Sequence, residues 1–410
     1  MTIWLFRFAL FMILFGLSPL TYGGDSLHPV LDKVTSGMAL VGLVSLVICF
    51  FDLPRFYKIM AWPIFIGAIL LLLESKYEYG QYVYSYFVIK RFVYCALAMT
   101  AYYAAKRSGP IRFEYIGYLV LVLFFVNQIL LGQIYTYSLS SESRTTTAPE
   151  ALYLVVPFLY FLVQYYREHK LISLFSSLAV FLFIVILLHR SVISTAVIAA
   201  GVVTGLMLMS KSSEKGFPVG RTFMFFIVVV SLSTPLAGML SDKKFDAFME
   251  SINGILDPKE DNTGSWRLEQ SQHYMALVPE RPLLGWRYDG YDRGEVMRHE
   301  DFPEKGTIIH SQYVDQLYNY GAVGLAINLL LILGTLATIY RRKQLYTTEQ
   351  LVLFGFIAGG LIYGVSYQLP VYYWGLVGMG MFYGLQRPAH RFTVPELHED
   401  EHEHALQPAD

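Results

Sequence analysis

Residues 171–209 read LISLFSSLAVFLFIVILLHRSVISTAVIAAGVVTGLMLM. A helix crosses a bilayer with roughly 20 apolar residues, a few more or fewer with tilt. This run is too long for one span. His189-Arg190-Ser191 interrupts it, and two helices meeting at that interruption account for its length. Composition extends the same pattern outward. Of 410 residues, 55% are hydrophobic and only 15% are charged, against about 25% charged in a soluble chain. Long apolar runs alternate with short cationic clusters, the pattern of many membrane spans rather than one large core.

On the same ruler the sequence predicts an all-α, polytopic integral membrane protein with about twelve transmembrane helices. They centre on Phe11, Leu43, Ala68, Ala96, Val122, Pro157, Leu182, Ala200, Val229, Leu330, Ile357 and Met379. The first, from Trp4 to Leu20, resembles a secretory signal, with Thr21 and Gly23 imitating a cleavage site. Its only early cation, Arg7, lies within the run rather than ahead of it, so a retained span is expected. Cys49 and Cys95 both fall in apolar runs and fit neither a disulfide framework nor a metal site.

The distribution of cations orients the spans. With the N-terminus cytoplasmic, the inner loops hold Arg55 and Lys58; Lys106, Arg107 and Arg112; Arg167 and Lys170; Lys211, Lys215 and Arg221; Arg341, Arg342 and Lys343; Arg387 and Arg391. Short outer loops hold only Lys33, Lys76, Arg144 and Arg190. The formal net charge of -1 says nothing about partners, and no nucleic acid is expected.

One segment breaks the rhythm. Residues 241–309 are polar, charged and punctuated by proline and glycine, longer than an ordinary connection. The chain therefore divides into spans one to nine (1–240), a large external loop domain (241–309), spans ten to twelve (310–387) and a disordered cytoplasmic tail (388–410). That tail carries His398, His402 and His404 among acids. No internal repeat is visible. A two-halves carrier places its long loop between the sixth and seventh spans; here it follows the ninth, which argues against a transporter.

Charges at membrane depth mark function or a cavity. Arg190, at the outer turn between two apolar helices, is either an interfacial arginine snorkelling into headgroups or an anion site, since guanidinium grips phosphate oxygens with two parallel bonds. Lys90 and Arg91 form a second cationic pair, open to the same two readings. The external loop holds T-G-S-W-R-L at 263–268 and P-E-R-P-L-L-G-W at 279–286. Arg267 stands near a helix start, where an anion shared with the helix N-terminus would explain a cation; a solvated arginine is the alternative. His310-Ser311-Gln312-Tyr313 then runs through Tyr320-Gly321-Ala322-Val323-Gly324 into the tenth span. A histidine at such a boundary is either a hydrogen-bonded interface residue or a base for a hydroxyl proton.

Taken together, these elements resemble the O-antigen ligases. H-S, nine residues and G-A-V-G match that family's histidine-glycine signature, through His310, Gly321 and Gly324. The W-R-L and P-L-L-G elements, with Pro282 and Gly285, resemble the loop pattern of the wider ligase and polymerase superfamily. So does a large loop between spans nine and ten. Trp286 departs from the pattern, replacing an expected small residue and putting the local backbone shape in doubt.

The resemblance implies a GT-C-like glycosyltransferase in a Gram-negative inner membrane, its active site and large loop periplasmic. The donor would be a glycan on undecaprenyl pyrophosphate, the acceptor a sugar hydroxyl of lipid A-core, with membrane lipids around both. By position, His310 matches the catalytic histidine, and Arg267 and Arg190 the pyrophosphate-binding arginines. Two arginines clamping the leaving group and a histidine on the opposite face predict inversion at the anomeric carbon. No D-x-D motif appears, and Glu295, Glu300, Asp301 and Glu304 lack ligand spacing, so no metal and no cofactor are expected. An O-antigen polymerase or a protein O-oligosaccharyltransferase is the nearest alternative, and a lipid-linked glycan transporter the alternative of another class.

Overall fold

The computed structural model describes residues 2–16, 29–83, 86–130, 146–210, 220, 227, 262–287, 309–341 and 345–386. Among them there is no strand. The helices, in chain order, are α1 (Thr2–Phe11), α2 (Pro29–Cys49), α3 (Arg55–Tyr79), α4 (Tyr86–Val93), α5 (Ala96–Ser108), α6 (Phe113–Leu130), α7 (Ala148–Tyr153), α8 (Val155–Glu168), α9 (Leu171–Ile186), α10 (Arg190–Met209), α11 (Asn262–Leu277), α12 (Gln312–Tyr340), α13 (Thr348–Ser366) and α14 (Val371–Leu385).

Among the described residues, six helical stretches are long and apolar enough to cross a membrane: Arg55–Tyr79, Phe113–Leu130, Ala148–Glu168, Arg190–Met209, Gln312–Tyr340 and Thr348–Ser366. Ile3–Gly16, Leu40–Asp52 and Leu171–Ile186 are apolar but shorter. The chain is a multi-pass integral membrane protein. Every expected span centre in the described residues lies in a helix, yet not every one is a full-length span. The helix expected around Ala96 breaks at Tyr94 and Cys95 into α4 and α5, and α14, around Met379, has 15 residues. The expected ninth span at Val229, loop acids Glu295, Glu300, Asp301 and Glu304, and the tail from residue 387 lie outside the described residues.

The interruption of residues 171–209 is real. Leu188 takes a left-handed φ of 57°, His189 is extended as the residue capping α10, and Arg190 is the first residue of that helix. Local chemistry also starts other helices. Thr347 and Gln350 exchange side-chain and backbone hydrogen bonds ahead of α13, and Glu150 accepts the Thr147 N–H at 2.8 Å at the start of α7. Such caps satisfy amide groups that a helix start leaves without a partner. α8 is almost wholly buried and packs against α6, α9, α10 and α13. Small residues allow the closest crossings: Gly355 and Gly359 of α13 meet Val203, Ala199 and Thr195 of α10.

Among the described residues, polar contacts between connecting segments gather in two groups. In one, Asp52 accepts hydrogen bonds from Lys106 (3.2 Å) and Arg107 (2.7 Å). Arg167 donates to Thr348 at 3.0 Å, and Tyr383 donates to the Ile111 carbonyl at 2.5 Å. In the other, Arg287 pairs with Glu74 at 2.6 Å and Gln368 donates to the Ile309 carbonyl at 2.7 Å. The described part of the large loop belongs to this second group.

Candidate functional site

His310 immediately precedes α12. The next residue, Ser311, caps that helix, its hydroxyl accepting the Val314 N–H at 3.5 Å. The chain is pinned on both sides of the histidine. Gln368 holds the Ile309 carbonyl, and Gln312 Oε1 accepts the Leu369 N–H at 3.0 Å. The 368–369 turn, which follows α13, thus fixes the entry to α12.

Helix α11 supplies the histidine's other neighbour. Gln270, only 1% exposed, receives the His310 main-chain N–H at 3.3 Å on Oε1, and His310 Nδ1 lies 3.4 Å from the same oxygen. Arg267 lies three residues earlier, so it shares a face of α11 with Gln270. Its guanidinium lies 4.4 Å from the centre of the Tyr367 ring, a cation–π contact worth about 0.5–2 kcal/mol depending on desolvation. Its Nε has no hydrogen-bond partner among the described residues. Tyr367 stacks in turn on the fully buried Tyr363.

Arg190 reaches this level from a third side. α10 and α13 run antiparallel, with Val203 against Gly355, Ala199 against both glycines and Thr195 against Gly359. At about 1.5 Å rise per residue, continuing that register carries Arg190 to about the height of Ser366, at the end of α13. The preceding turn is held by the buried His189, whose Nε2 lies 2.8 Å from the Thr146 carbonyl oxygen and 3.1 Å from the Thr146 hydroxyl. The expected residues His310 and Arg267 therefore stand on adjoining elements, and Arg190 heads α10, which packs on α13.

The motif glycines have a structural task. Trp286 N–H donates to the Tyr318 carbonyl (2.7 Å) and Arg287 N–H to Asn319 (3.0 Å). In return, Ala322 N–H donates to Pro282 (2.8 Å) and Val323 N–H to Leu283 (3.2 Å). The P-L-L-G and Y-G-A-V-G elements are thus one unit, joined main chain to main chain. α12 opens at Gly321 (φ 65°, ψ -166°) to expose these groups, and a Cβ on Gly324 would strike Tyr320. Trp286, the departure from the family pattern, is buried. Its indole N–H donates to Leu277 O at 3.0 Å, its ring stacks on Tyr318, and both join Tyr274 and Ile309 in a small separate core. The large ring fills the junction between loop and α12.

Lys90 and Arg91 belong to α4. Arg91 pairs with Asp315 of α12 at 2.6 Å, the two side chains 12% and 1% exposed, and Asp315 also accepts from Asn319 at 3.0 Å. Lys90 and Arg91 line a polar cavity of about 200 Å³ with Tyr94, Gln312, Asp315, Gln316, Gln368, Leu369 and Trp374. This cavity lies one helical turn past His310. Arg91 has a built-in counter-ion, which snorkelling did not anticipate.

Sequence reasoning missed Gln270, Tyr367 and Asp315. Gln270 had a signal, its one-turn spacing from Arg267. Asp315 had another, an acid just inside an apolar helix. Tyr367 had none, because its contact with Arg267 joins distant segments.

Among known families, the model described as O-antigen ligase (Wzy_C) matches residues 139–329. That range contains Arg190, Arg267, His310 and the interlocked glycines. No curated protein matches the chain.

Proposed function

From a chain that belongs to the O-antigen ligase and polymerase superfamily, we propose a ligase: transfer of O-antigen glycan from undecaprenyl pyrophosphate to a sugar hydroxyl of lipid A-core. The reaction would take place on the periplasmic face of a Gram-negative inner membrane. The observation that carries the reading is the seating of His310 against Gln270 of α11, the helix that also bears Arg267. That arrangement supports a base for the acceptor and a cation for the diphosphate acting side by side.

In this account the acceptor hydroxyl gives its proton to His310 and attacks the anomeric carbon. The bond from that carbon to the diphosphate breaks on the opposite face, inverting configuration. Negative charge grows on the departing diphosphate, where fixed guanidinium groups stabilise the transition state more than the ground state. Arg267, steadied by Tyr367, and Arg190, steadied by the His189 turn, are the proposed partners. Pairing with Asp315 assigns Arg91 to the framework, and Lys90 is left as a neighbour of the polar cavity.

Purified protein combined with lipid-linked donor and lipid A-core tests the function. Glycan covalently joined to lipid A-core supports the ligase. Longer glycan on the donor lipid would instead identify a polymerase, glycan on a protein hydroxyl an oligosaccharyltransferase, and movement of donor without a covalent product a transporter.

A further inference from the structure

The contacts of Gln270 determine more than the place of His310. A main-chain N–H can only donate, so the amide atom that meets the His310 N–H at 3.3 Å is the Gln270 oxygen. A carbonyl oxygen can only accept, so Nδ1, 3.4 Å from that oxygen, carries a hydrogen. In a neutral imidazole the lone pair then belongs to Nε2. One buried amide thereby orients the ring and chooses its tautomer, the task a second-layer group performs for many catalytic histidines.

We infer that Gln270 is a positioning residue for glycosyl transfer, holding His310 as the Nδ1–H tautomer so that Nε2 is the atom that takes the acceptor proton. This rests on His310 being the base. In the step, the hydroxyl proton passes to Nε2 while the acceptor oxygen's electron pair forms the new bond to the anomeric carbon. The old carbon–oxygen bond breaks with its electron pair leaving on the diphosphate. The imidazolium, still donating through Nδ1–H to Gln270, then loses the Nε2 proton to solvent. Because Arg267 lies one turn away on α11, the same helix serves both halves of the reaction: a cation for the leaving group and an acceptor for the base.

The charged and titratable groups on the two helices flanking His310 are Arg267, Glu269, His273 and Tyr274 of α11 and Tyr313, Asp315, Tyr318 and Tyr320 at the start of α12, with Arg91 and Lys90 of α4 on the side of Asp315 and Tyr363 of α13 with the following Tyr367 on the side of Arg267. The Nδ1 contact described is the one with Gln270. A change at Gln270 therefore has its own signature in the pH dependence of transfer.

The test is the pH–rate profile of single-turnover transfer for the full chain in lipid nanodiscs, with lipid-linked glycan as donor. Parent, Gln270→Glu, Gln270→Leu and His310→Ala are compared, each with its thermal unfolding and donor affinity. A carboxylate facing Nδ1–H favours the imidazolium, so Gln270→Glu should move the acidic limb of the profile to higher pH by about one unit. Gln270→Leu removes the acceptor and should slow transfer by about ten- to a hundred-fold, with donor affinity kept. Should Gln270→Leu fail to fold, the limb shift in Gln270→Glu decides. With His310→Ala inactive, an unmoved limb in Gln270→Glu overturns the inference and leaves the base in place. Parent-like transfer by His310→Ala would instead overturn the reading on which the inference rests.

Discussion

Gly285 and Gly321 lock the external loop onto α12, each pressing its bare α-carbon into the other's segment. Their φ values are 70° and 65°. A Cβ on Gly285 would lie 2.5 Å from the Asn319 carbonyl carbon, and one on Gly321 would lie 2.5 Å from the Leu284 nitrogen. Both obstacles are main chain, which has no rotamer to yield. The four hydrogen bonds between the segments depend on this approach.

Alanine at either glycine should therefore unfold the loop junction. The left-handed φ alone costs about 1 kcal/mol, and the clash adds to it. Gly109→Ala is the matched control, since Gly109 has a φ of 77° but nothing within 4 Å of its added Cβ. Thermal unfolding in detergent should show a small loss for Gly109→Ala and a much larger one for Gly285→Ala or Gly321→Ala. Equal losses would mean the close approach is unimportant.

Arg91 and Asp315 provide a second test. Removing one member of a buried pair leaves the other charge without compensation, at about 3–5 kcal/mol. Arg91→Ala should be strongly destabilising, and adding Asp315→Ala to it should restore part of the loss. A double variant as unstable as the sum of both single variants would deny the coupling and reopen Arg91 as a substrate contact.

Orientation follows from the alternating cationic loops. Reporter fusions at Asn262 and at the C-terminus should report opposite compartments, with Asn262 periplasmic. The same compartment from both would refute the topology.

Arginines are the proposed diphosphate partners, so transfer should survive thorough chelation. A loss restored specifically by magnesium or manganese would return attention to Glu295, Glu300, Asp301 and Glu304.

Much of this architecture is legible one residue at a time. The break at His189-Arg190-Ser191 is a polar interruption too abrupt for one helix to carry through a membrane, and α9 and α10 meet there. The cationic cluster at Lys106 and Arg107 is legible as the edge of a span, and both side chains find Asp52 there. The interlock of P-L-L-G with Y-G-A-V-G is invisible locally. A glycine announces a close approach but not the segment that approaches. The same holds for Arg91: a cation in an apolar run signals a cost, while its relief by Asp315 arises only when α4 meets α12. Trp286 shows the converse. A bulky residue stands where a small one was expected, and its stacking on Tyr318, beside Gly285 at a positive φ, could not be read from the local sequence.

The central claim is a division of labour between His310, facing the acceptor, and Arg190 with Arg267, facing the diphosphate. It is tested most directly by donor affinity measured beside single-turnover transfer at saturating donor, in variants shown to fold as the parent does. His310→Ala should bind donor normally and transfer glycan about a hundred- to ten-thousand-fold more slowly. Arg190→Ala and Arg267→Ala should lose both affinity and rate, with lysine restoring only part, because it keeps the charge and loses the planar fork. Normal turnover by His310→Ala, or parent-like binding and transfer by both arginine variants, would contradict the account.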